Sequence, residues 1–372
     1  MGETRKVVCY GHEVPAFTEV FPKLFRAGLE GMGIDQIQQV AGKLSDADRA
    51  VLGDYLGADG AARVIDGLAS DKAQVVSSSY TPTGTVSEDQ FRAVFPRVMV
   101  SINNTLTPDQ VVTVMGTLSA EDMASMSLFF GDEGRTFVFK QMRPDAVRAV
   151  LDRTEDWVFL ETGRRAVQTI PQYSCTLDKQ ERVDRKLQGV ETIALKYRQA
   201  PRGVYMKWLA GPFKGRELLY SESSLGKDKI RVREGGMLGI VPVTLAVDAP
   251  LARRGTKHLV TEVGLGQLVT MIERDYLKAG PKGHIKRVNH GITEIDGIKV
   301  YKFESILPRD KSLGYYCHRM VHYTDYLRAL EIKCEIFNFD NELDEAYHYR
   351  EIDTRPALSD KDFDPRNGQY KL

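Results

Sequence analysis

The sequence predicts an α+β protein in which an all-α bundle of two tandem repeats precedes a curved antiparallel sheet with a buried helix. In the first part of the chain, apolar residues recur at three- and four-residue spacing, which indicates amphipathic helices. From about Gln172 the spacing falls to two, which indicates strands with one buried face and one face in water. The predicted domains are therefore a helical domain over residues 1–150 and a sheet domain over residues 151–372.

The helical part of the sequence matches itself without a gap. The stretch that begins at Glu19 aligns with the stretch that begins at Ala93, and Phe-Pro and Gly positions coincide in both. We predict that residues 19–68 and 93–142 fold as the same helical arrangement and pack as one pseudo-symmetric bundle. A polar segment around residues 77–89 is the predicted linker. Neither copy contains a phosphate loop or a nucleophile constellation, so we interpret the bundle as a docking module for a protein partner.

One helix interrupts the predicted sheet. The run from Val263 to Gly280 carries an apolar stripe at helical spacing and ends in glycine, a residue typical of helix C-termini. The stripe comprises Leu265, Leu268, Val269, Ile272 and Tyr276. A large antiparallel sheet with few helices must curl over this helix, close on itself or hold a ligand.

An apolar stripe of strand residues is expected to face this helix. Alternation places Met206 and Trp208 on one face of a strand and Lys207 on the other. The candidate ligand-binding residues, which share the space between two neighbouring strands and the helix, are Ile193, Leu195, Val204, Met206, Trp208, Leu268 and Ile272. Methionine and tryptophan suit a cavity wall and a filled core equally well, so both interpretations stay open. An apolar pocket of roughly a few hundred Å³ would favour a ligand.

Composition and charge argue against several classes of function. The 372 residues include 51 Lys plus Arg and 51 Asp plus Glu, so no nucleic-acid partner is expected. No apolar run approaches the roughly 20 residues that span a bilayer. The start MGETRKVVCYGHEVP lacks the apolar core of a signal peptide, which fits a cytoplasmic protein or a chain whose natural start has been replaced.

The four cysteines are scattered, and most of them are interpreted as free buried thiols. Neither a Cys-x-x-Cys pair nor a zinc-ligand spacing occurs. If residues 315–337 form a hairpin centred on Asp325-Tyr326, Cys317 lies opposite Cys334. A disulfide between these two cysteines is a hypothesis that stays open.

Two patterns that resemble cofactor or metal sites are interpreted as structural. Gly264-Leu265-Gly266 lacks the third glycine of a dinucleotide fingerprint, so no cofactor is predicted. His318 and His322 lie on one strand face about 13 Å apart, which is too far for both to bind one metal ion. We interpret both histidines as residues of the sheet surface and predict no metal site.

Two charged patterns are interpreted as solvated. The first is an acidic turn that comprises Glu342, Asp344 and Glu345. The second is a basic ladder on alternate strand residues that comprises Lys227, Lys229, Arg231 and Arg233, for which lipid headgroups or an acidic partner are the alternative. Because acidic and histidine residues nowhere form a recognisable catalytic group, no catalytic residue is predicted.

The run from Thr176 to Tyr220 resembles a bacterial family called domain of unknown function 1571, as do segments that begin at Lys257 and Leu358. The resemblance covers about residues 155–372 and leaves the helical repeats outside. That family looks like the periplasmic lipoprotein carriers and related lipid-binding proteins. The resemblance therefore implies a curved β half-barrel, with a plugging helix, whose concave face accepts acyl chains.

The resulting functional prediction is a non-enzymatic protein of the bacterial cell envelope. It is expected to bind a lipid, the acyl chain of a lipoprotein or another apolar ligand in the concave face, with the helical domain as a docking module. The alternative is a structural or adaptor protein of the envelope with a filled core and no ligand. By resemblance the protein is periplasmic or envelope-associated, and the cytoplasm is the alternative.

Overall fold

The computed structural model describes residues 7–80, 84–236 and 241–372 of the chain. Helices come first and an antiparallel sheet follows, so the predicted α+β class is confirmed. Within the described ranges the chain forms two compact units. Of the described residues, those up to 162 and residues 326–329 form the first unit, and those in 163–325 and 330–372 form the second.

The first unit is built of helices that follow a short hairpin of β1 Val7–Cys9 and β2 His12–Val14. Its helices are α1 Phe17–Gly31, α2 Ile34–Lys43, α3 Asp46–Ile65, α4 Ser70–Ser79, α5 Glu88–Thr105, α6 Pro108–Gly116, α7 Ala120–Gln141 and α8 Pro144–Arg153. The boundary between the two units falls within the next helix, α9 Asp156–Gln168. Ser87, Thr107 and Ser119 begin their helices with a side-chain oxygen that accepts a backbone N–H bond. Such caps explain why the helices start at these residues.

The two predicted repeats contain the same order of helices. Each has a helix with an internal proline, then a short helix, then a long helix that kinks at a glycine. α3 kinks at Gly57 (φ 63°, ψ −179°), and α7 kinks at Gly131 (φ 60°, ψ −172°). Phe21 and Phe95, which the alignment makes equivalent, meet edge to face with 5.5 Å between ring centroids. That residues 19–68 and 93–142 superpose as copies stays a prediction.

The second unit is a curved antiparallel sheet. Its strands are β3 Gln172–Val183, β4 Lys186–Leu187, β5 Glu191–Arg198, β6 Gly203–Ala210, β7 Glu217–Ser221, β8 Lys229–Arg233, β9 Val243–Ala246, β10 Lys286–Ile295, β11 Ile298–Ile306, β12 Arg319–Asp325, β13 Leu330–Phe337 and β14 Leu343–Asp353. Their order is β10-β11-β12-β13-β14-β3-β5-β6-β7-β8-β9, and β4 pairs with β3 alone. Among the described residues β10 and β9 are not paired with each other, so the sheet is not closed into a barrel.

The helix α10 Leu265–Ala279 is tied to residues of the sheet unit at both ends. The Leu265 N–H donates to the Tyr173 hydroxyl oxygen at 2.9 Å. Gly264, with φ 132°, precedes the helix, and a Cβ there would lie 2.9 Å from the Tyr197 ring. Near the other end, both carboxylate oxygens of Asp275 lie within 3.0 Å of the Tyr316 N–H. The apolar side of α10, with Leu265 and its neighbours, is buried.

The C-terminal segment covers part of the opposite face of the sheet. Phe363 is fully buried in a cluster with Tyr205 and Leu219, which are paired residues of β6 and β7. Lys196 Nζ lies 2.7 Å from Asp362 Oδ1, which holds the segment to β5. Both faces of the central strands are therefore covered, because β6 also carries buried residues on its inner face.

The hypothesis of a bond between Cys317 and Cys334 is wrong. The β12–β13 register places Cys334 opposite His322, because the hairpin turns later than simple counting assumes and contains a bulge at Tyr323/Thr324. The interpretation as free buried thiols is confirmed, since all four cysteines are free and buried.

The interpretation of His318 and His322 as surface residues is also wrong. His318 is buried, and its Nδ1 lies 2.6 Å from the Leu307 carbonyl oxygen. His322 is 1% exposed and stacks on Phe303 at 4.4 Å between ring centroids. Burial lowers the pKa of His322 to about 3, so this ring stays neutral.

Replacement of the two kink glycines tests whether both positions require a backbone conformation that only glycine adopts without strain. Their φ and ψ angles lie in a region that is essentially restricted to glycine, and side chains there cost roughly 1–3 kcal/mol. A Cβ at either position would meet no atom within 4 Å, so the cost comes from the backbone alone. We expect Gly57→Ala and Gly131→Ala each to lower the free energy of unfolding by about 1–3 kcal/mol, as measured by urea denaturation.

Gly42→Ala is the matched control. Gly42 is exposed in α2, and a Cβ there also meets nothing within 4 Å. Because its backbone is helical, alanine should stabilise the protein by about 0.5–1 kcal/mol. An unchanged stability of Gly57→Ala or Gly131→Ala would contradict the assignment of backbone strain to these kinks.

Candidate ligand-binding cavity

A cavity lies between the inner face of the sheet, α10 and the segment that precedes α10. We call that segment, residues 247–263, the strap. The empty space amounts to about 780 Å³, counted with the part that is open to solvent. Its apolar lining includes Met206, Trp208, Leu218, Ile230, Leu268 and Met271. Sheet, helix and strap each contribute a wall.

The strand register explains why these side chains meet. Met206 of β6 is opposite Leu195 of β5 and Leu218 of β7, and Trp208 is opposite Ile193. Residues that face each other across an antiparallel pair project from the same side of the sheet. The alternation of the sequence therefore produces one continuous apolar face, which α10 covers in part.

The structure separates the seven predicted binding residues into two groups. Met206, Trp208 and Leu268 line the cavity. Ile193, Leu195 and Val204 are buried on the same strand face but are not part of the lining, and Ile272 is half-buried outside it. A ligand-binding role for any of the seven stays a prediction.

One end of the cavity is polar, which sequence reasoning missed. Glu345 of β14 is opposite Glu181 of β3, and neither carboxylate is more than 2% exposed. The Tyr347 hydroxyl lies between them, 2.7 Å from Glu181 Oε1 and 3.0 Å from Glu345 Oε2. The interpretation of the acidic turn as solvated is therefore wrong for Glu345, because this residue points to the inner face.

The strap is bound to this pair of carboxylates. Lys257 Nζ lies 2.6 Å from Glu345 Oε1, and the Lys257 N–H donates to Glu181 Oε2 at 2.9 Å. His258 Nε2 lies 3.0 Å from Glu345 Oε2, and the Tyr316 hydroxyl donates to Glu345 Oε1. We call these five groups (Glu181, Glu345, Lys257, His258 and Tyr316), together with Tyr347, the clasp. It joins the strap to β3 and β14.

The clasp changes the pKa values of its members. Burial alone would raise the pKa of Glu345, but the hydrogen bond and charge of His258, with the charge of Lys257, outweigh it and lower the pKa to about 2. Burial alone would lower the pKa of His258, yet the hydrogen bond and charge of Glu345 raise it. At neutral pH a carboxylate thus faces a histidine that is held toward its protonated form.

A second polar group borders the cavity next to the clasp. Lys179 Nζ lies 3.4 Å from Glu181 and 3.6 Å from Glu191, and the Trp208 indole N–H donates to Glu191. Buried charges require such partners, since an unpaired ion in the interior is strongly destabilising. Lys179 and Glu191 are opposite each other in the β3–β5 register, which explains how they meet.

The hydrogen-bonding capacity of Glu345 is used within the clasp, since this carboxylate receives donors from the strap, from Tyr316 and from Tyr347. Within the described ranges, no group of three or more His, Cys, Asp or Glu side chains is arranged to hold a metal ion. The geometry provides a cavity with apolar side chains from sheet and helix, beside a paired and hydrogen-bonded polar cluster.

Comparison with known proteins identifies the family of the sheet unit. The model of DUF1571, described as a protein of unknown function, matches residues 170–372, which is more than half of the 372 residues. The chain belongs to the DUF1571 family. The expected resemblance is thus confirmed over a slightly shorter stretch than residues 155–372, and the helical part lies outside the DUF1571 match. Among curated proteins none matches the sequence.

Several solved structures are similar to the DUF1571 chain. They include the Mycobacterium tuberculosis lipoprotein LppX, with 14% identity, 55% of this chain and 99% of that chain covered, and a TM-score of 0.35. A putative outer membrane lipoprotein-sorting protein domain from Vibrio parahaemolyticus has 11% identity, coverages of 55% and 97%, and a TM-score of 0.27. A LolA superfamily protein from Nitrosomonas europaea has 12% identity, coverages of 55% and 95%, and a TM-score of 0.25. These values specify neither a ligand nor a partner for this chain.

None of the helices within residues 7–80, 84–236 and 241–372 combines the length and apolarity that crossing a membrane requires.

The clasp predicts a pH-dependent stability. A carboxyl with a pKa of about 2 in the folded protein and an ordinary value of 4.5 contributes about 3 kcal/mol above pH 5. Because the folded pKa is the lower one, this contribution is lost as the pH falls from about 4.5 toward 2. We expect wild type to be more stable than Glu345→Gln at pH 6, and the difference to shrink by about 2.5 kcal/mol at pH 2.5, in urea denaturation curves.

Glu342→Gln is the control on the same turn, since the Glu342 side chain is 57% exposed. It should alter stability by less than about 1 kcal/mol at either pH. A stability gap of Glu345→Gln that stays constant with pH would show that Glu345 does not titrate as the clasp requires.

Proposed function

We propose that this protein binds an elongated apolar ligand, a lipid or the acyl chain of a lipoprotein, in the cavity beneath α10. The observation that carries the proposal is the cavity itself, which has apolar side chains from sheet and helix and polar groups of the clasp in its lining. Small-molecule sites typically combine apolar walls with a few fixed polar groups. The lining of this cavity has that composition, with Met206, Trp208 and Met271 among its apolar side chains and polar groups that include His258.

The chemistry of the walls fits a flexible apolar guest. Met206 and Met271 face the cavity, and thioether side chains adapt to guests of varied shape. Trp208 adds a broad ring whose indole N–H is already bound to Glu191, so no polar atom of this ring is left for water. An acyl chain along these walls would place its polar end near the clasp.

Binding without catalysis is part of the proposal. His258 is the side chain in the lining most suited to proton transfer, and its bond to Glu345 favours the protonated ring. Lys179 is engaged in ion pairs with Glu181 and Glu191. The polar end is therefore suited to hold and orient a headgroup.

The proposal retains the cell envelope as the setting and the helical unit as a docking module for a protein partner. The periplasmic setting rests on the resemblance of the sheet unit to lipoprotein carriers. The docking role rests on the duplicated helical pattern, which carries no recognisable catalytic group. An adaptor whose cavity stays empty is the alternative, and ligand binding distinguishes the two.

Filling the cavity tests the proposal. Met271 is buried on α10 and lines the cavity. In Met271→Trp the larger ring should occupy the space meant for the guest. We expect the affinity for a fluorescent fatty-acid probe, measured by titration in solution, to fall at least about tenfold.

Leu277→Trp is the matched control, because Leu277 lies on the same helix, is 55% exposed and does not line the cavity. This variant should bind the probe like wild type. Circular dichroism and urea denaturation establish that both variants are folded. If wild type binds no probe, and native mass spectrometry of the purified protein detects no lipid, the adaptor alternative replaces this proposal.

A further inference from the structure

One edge of the sheet carries a concentration of positive charge in a chain whose net charge is zero. We call it the basic edge, and it comprises Lys227, Lys229, Arg231, Arg233, Arg253 and Arg254. The first four lie on β8 or just before it, and the two others lie on the strap. Residues 227–254 hold these six cations and three acidic residues, Asp228, Glu234 and Asp248, so the segment has a net charge of +3.

These cations are not used to stabilise the fold. Across the described ranges none of the six forms an ion pair, and Arg231 donates to the Thr244 hydroxyl. Lys227, Lys229, Arg253 and Arg254 are exposed, and Arg231 and Arg233 are half-buried. By contrast, Glu234 is engaged by Arg216 at 2.8 Å, so it does not neutralise the basic edge.

Large apolar side chains are exposed in the same segment. Val241 is 70% exposed, Val243 on β9 is 39% exposed and Leu251 on the strap is 37% exposed. Leu251 lies two residues before Arg253. Exposed apolar side chains among unpaired cations are the combination by which peripheral proteins insert into the headgroup region of an anionic membrane.

Protection of a sheet edge is the other explanation for such charges, because lysine on an edge strand prevents pairing with other sheets. It does not fit here. The edge strand β9 reads Val-Thr-Leu-Ala and carries no charge, while the cations lie on β8, one strand further in, and on the strap.

One residue of the basic edge borders the cavity. Arg254 lines the cavity together with Val247 and Ala252 of the strap. Lys229 and Arg231 project from the face of β8 opposite Ile230, a residue of the lining. A surface bound at the strap end of the basic edge would therefore lie beside the cavity.

We infer that the basic edge is a docking surface for a membrane rich in anionic phospholipid. The inference rests on the proposed function in one respect, since docking would bring the mouth of the cavity to the source or destination of its ligand. An acidic protein could meet the cations, but it would not account for the exposed valines and leucine of the same segment. Phospholipid headgroups and the acyl boundary account for both.

Vesicle binding tests the inference. Full-length protein should sediment with vesicles of 30% phosphatidylglycerol in phosphatidylcholine at low salt, and should not sediment with pure phosphatidylcholine. Each Lys or Arg near an anionic surface changes partitioning about fivefold. The triple variant Lys227→Gln, Lys229→Gln, Arg253→Gln should therefore lower the partition coefficient about a hundredfold.

The control is a second triple variant that removes three exposed lysines elsewhere in the sheet unit, Lys186→Gln, Lys282→Gln, Lys299→Gln. It changes the net charge equally and should keep vesicle binding within about fivefold of wild type. The inference is overturned if wild type ignores anionic vesicles, if it binds both vesicle types equally, or if both triple variants lose binding alike. Binding to polyglutamate without binding to vesicles would assign the basic edge to an acidic protein instead.

Probe titration without vesicles keeps this inference separate from the proposed function. The first triple variant alters no residue of the cavity lining and should bind the fatty-acid probe like wild type. Vesicle binding by a wild type that binds no probe and carries no co-purified lipid would overturn the cavity proposal and leave the docking surface in place. Probe binding by a wild type that does not bind anionic vesicles would overturn the docking surface alone.

Discussion

The fold of the sheet unit depends on covering one apolar face of a sheet that does not close on itself. Strands with alternating side chains present a continuous apolar surface, and burial of that surface supplies most of the driving force for folding. Closure into a barrel would remove the exposed face, but β9 and β10 are unpaired edges within the described residues. α10 and the strap supply the missing cover, and the space they leave unfilled is the cavity.

The clasp shows what holds this cover in place. A buried carboxylate such as Glu345 is tolerated only when donors replace the water that it loses. Its donors come from the strap, through Lys257 and His258, and from Tyr316 beside β12. Tyr316 also donates its N–H to Asp275 of α10, so strap, helix and sheet share one polar network. Apolar burial therefore brings the cover onto the sheet, and the charged groups determine its position.

The sequence predicts the alternation of buried and exposed strand residues, but it does not predict that polar side chains also occupy buried positions on the same face. Met206, Trp208 and Leu268 line the cavity, and an apolar period identifies such a buried face without knowledge of partners. On β3 the same period runs on through Lys179 and Glu181, and this repetition was the available signal for the polar end. It was missed because charged residues in a strand usually indicate the solvent face, and only the partners from other strands and the strap show otherwise.

Strand register is a second feature that is hard to predict from sequence, and it explains the wrong pairing of Cys317 with Cys334 at the β12–β13 hairpin. A bulge and the position of the turn decide which residues face each other, and composition specifies neither. The helical repeats are easier to predict than the strand register, since helix caps and kink glycines are local features that lie within one segment of sequence. Hence helix order follows from the sequence, while the pairing of Cys334 with His322 does not.

The strap combines three properties that would otherwise be separate. It lines the cavity through residues such as Val260, it is bound to the sheet through Lys257 and His258, and it carries Arg253 of the basic edge. Any displacement of the strap that widens the cavity must therefore remove donors from Glu345, whose burial makes that loss costly. A surface that engaged Arg253 would act on the same short segment of backbone. Part of the cavity lining and part of the basic edge thus belong to one structural element, which the clasp binds to the sheet.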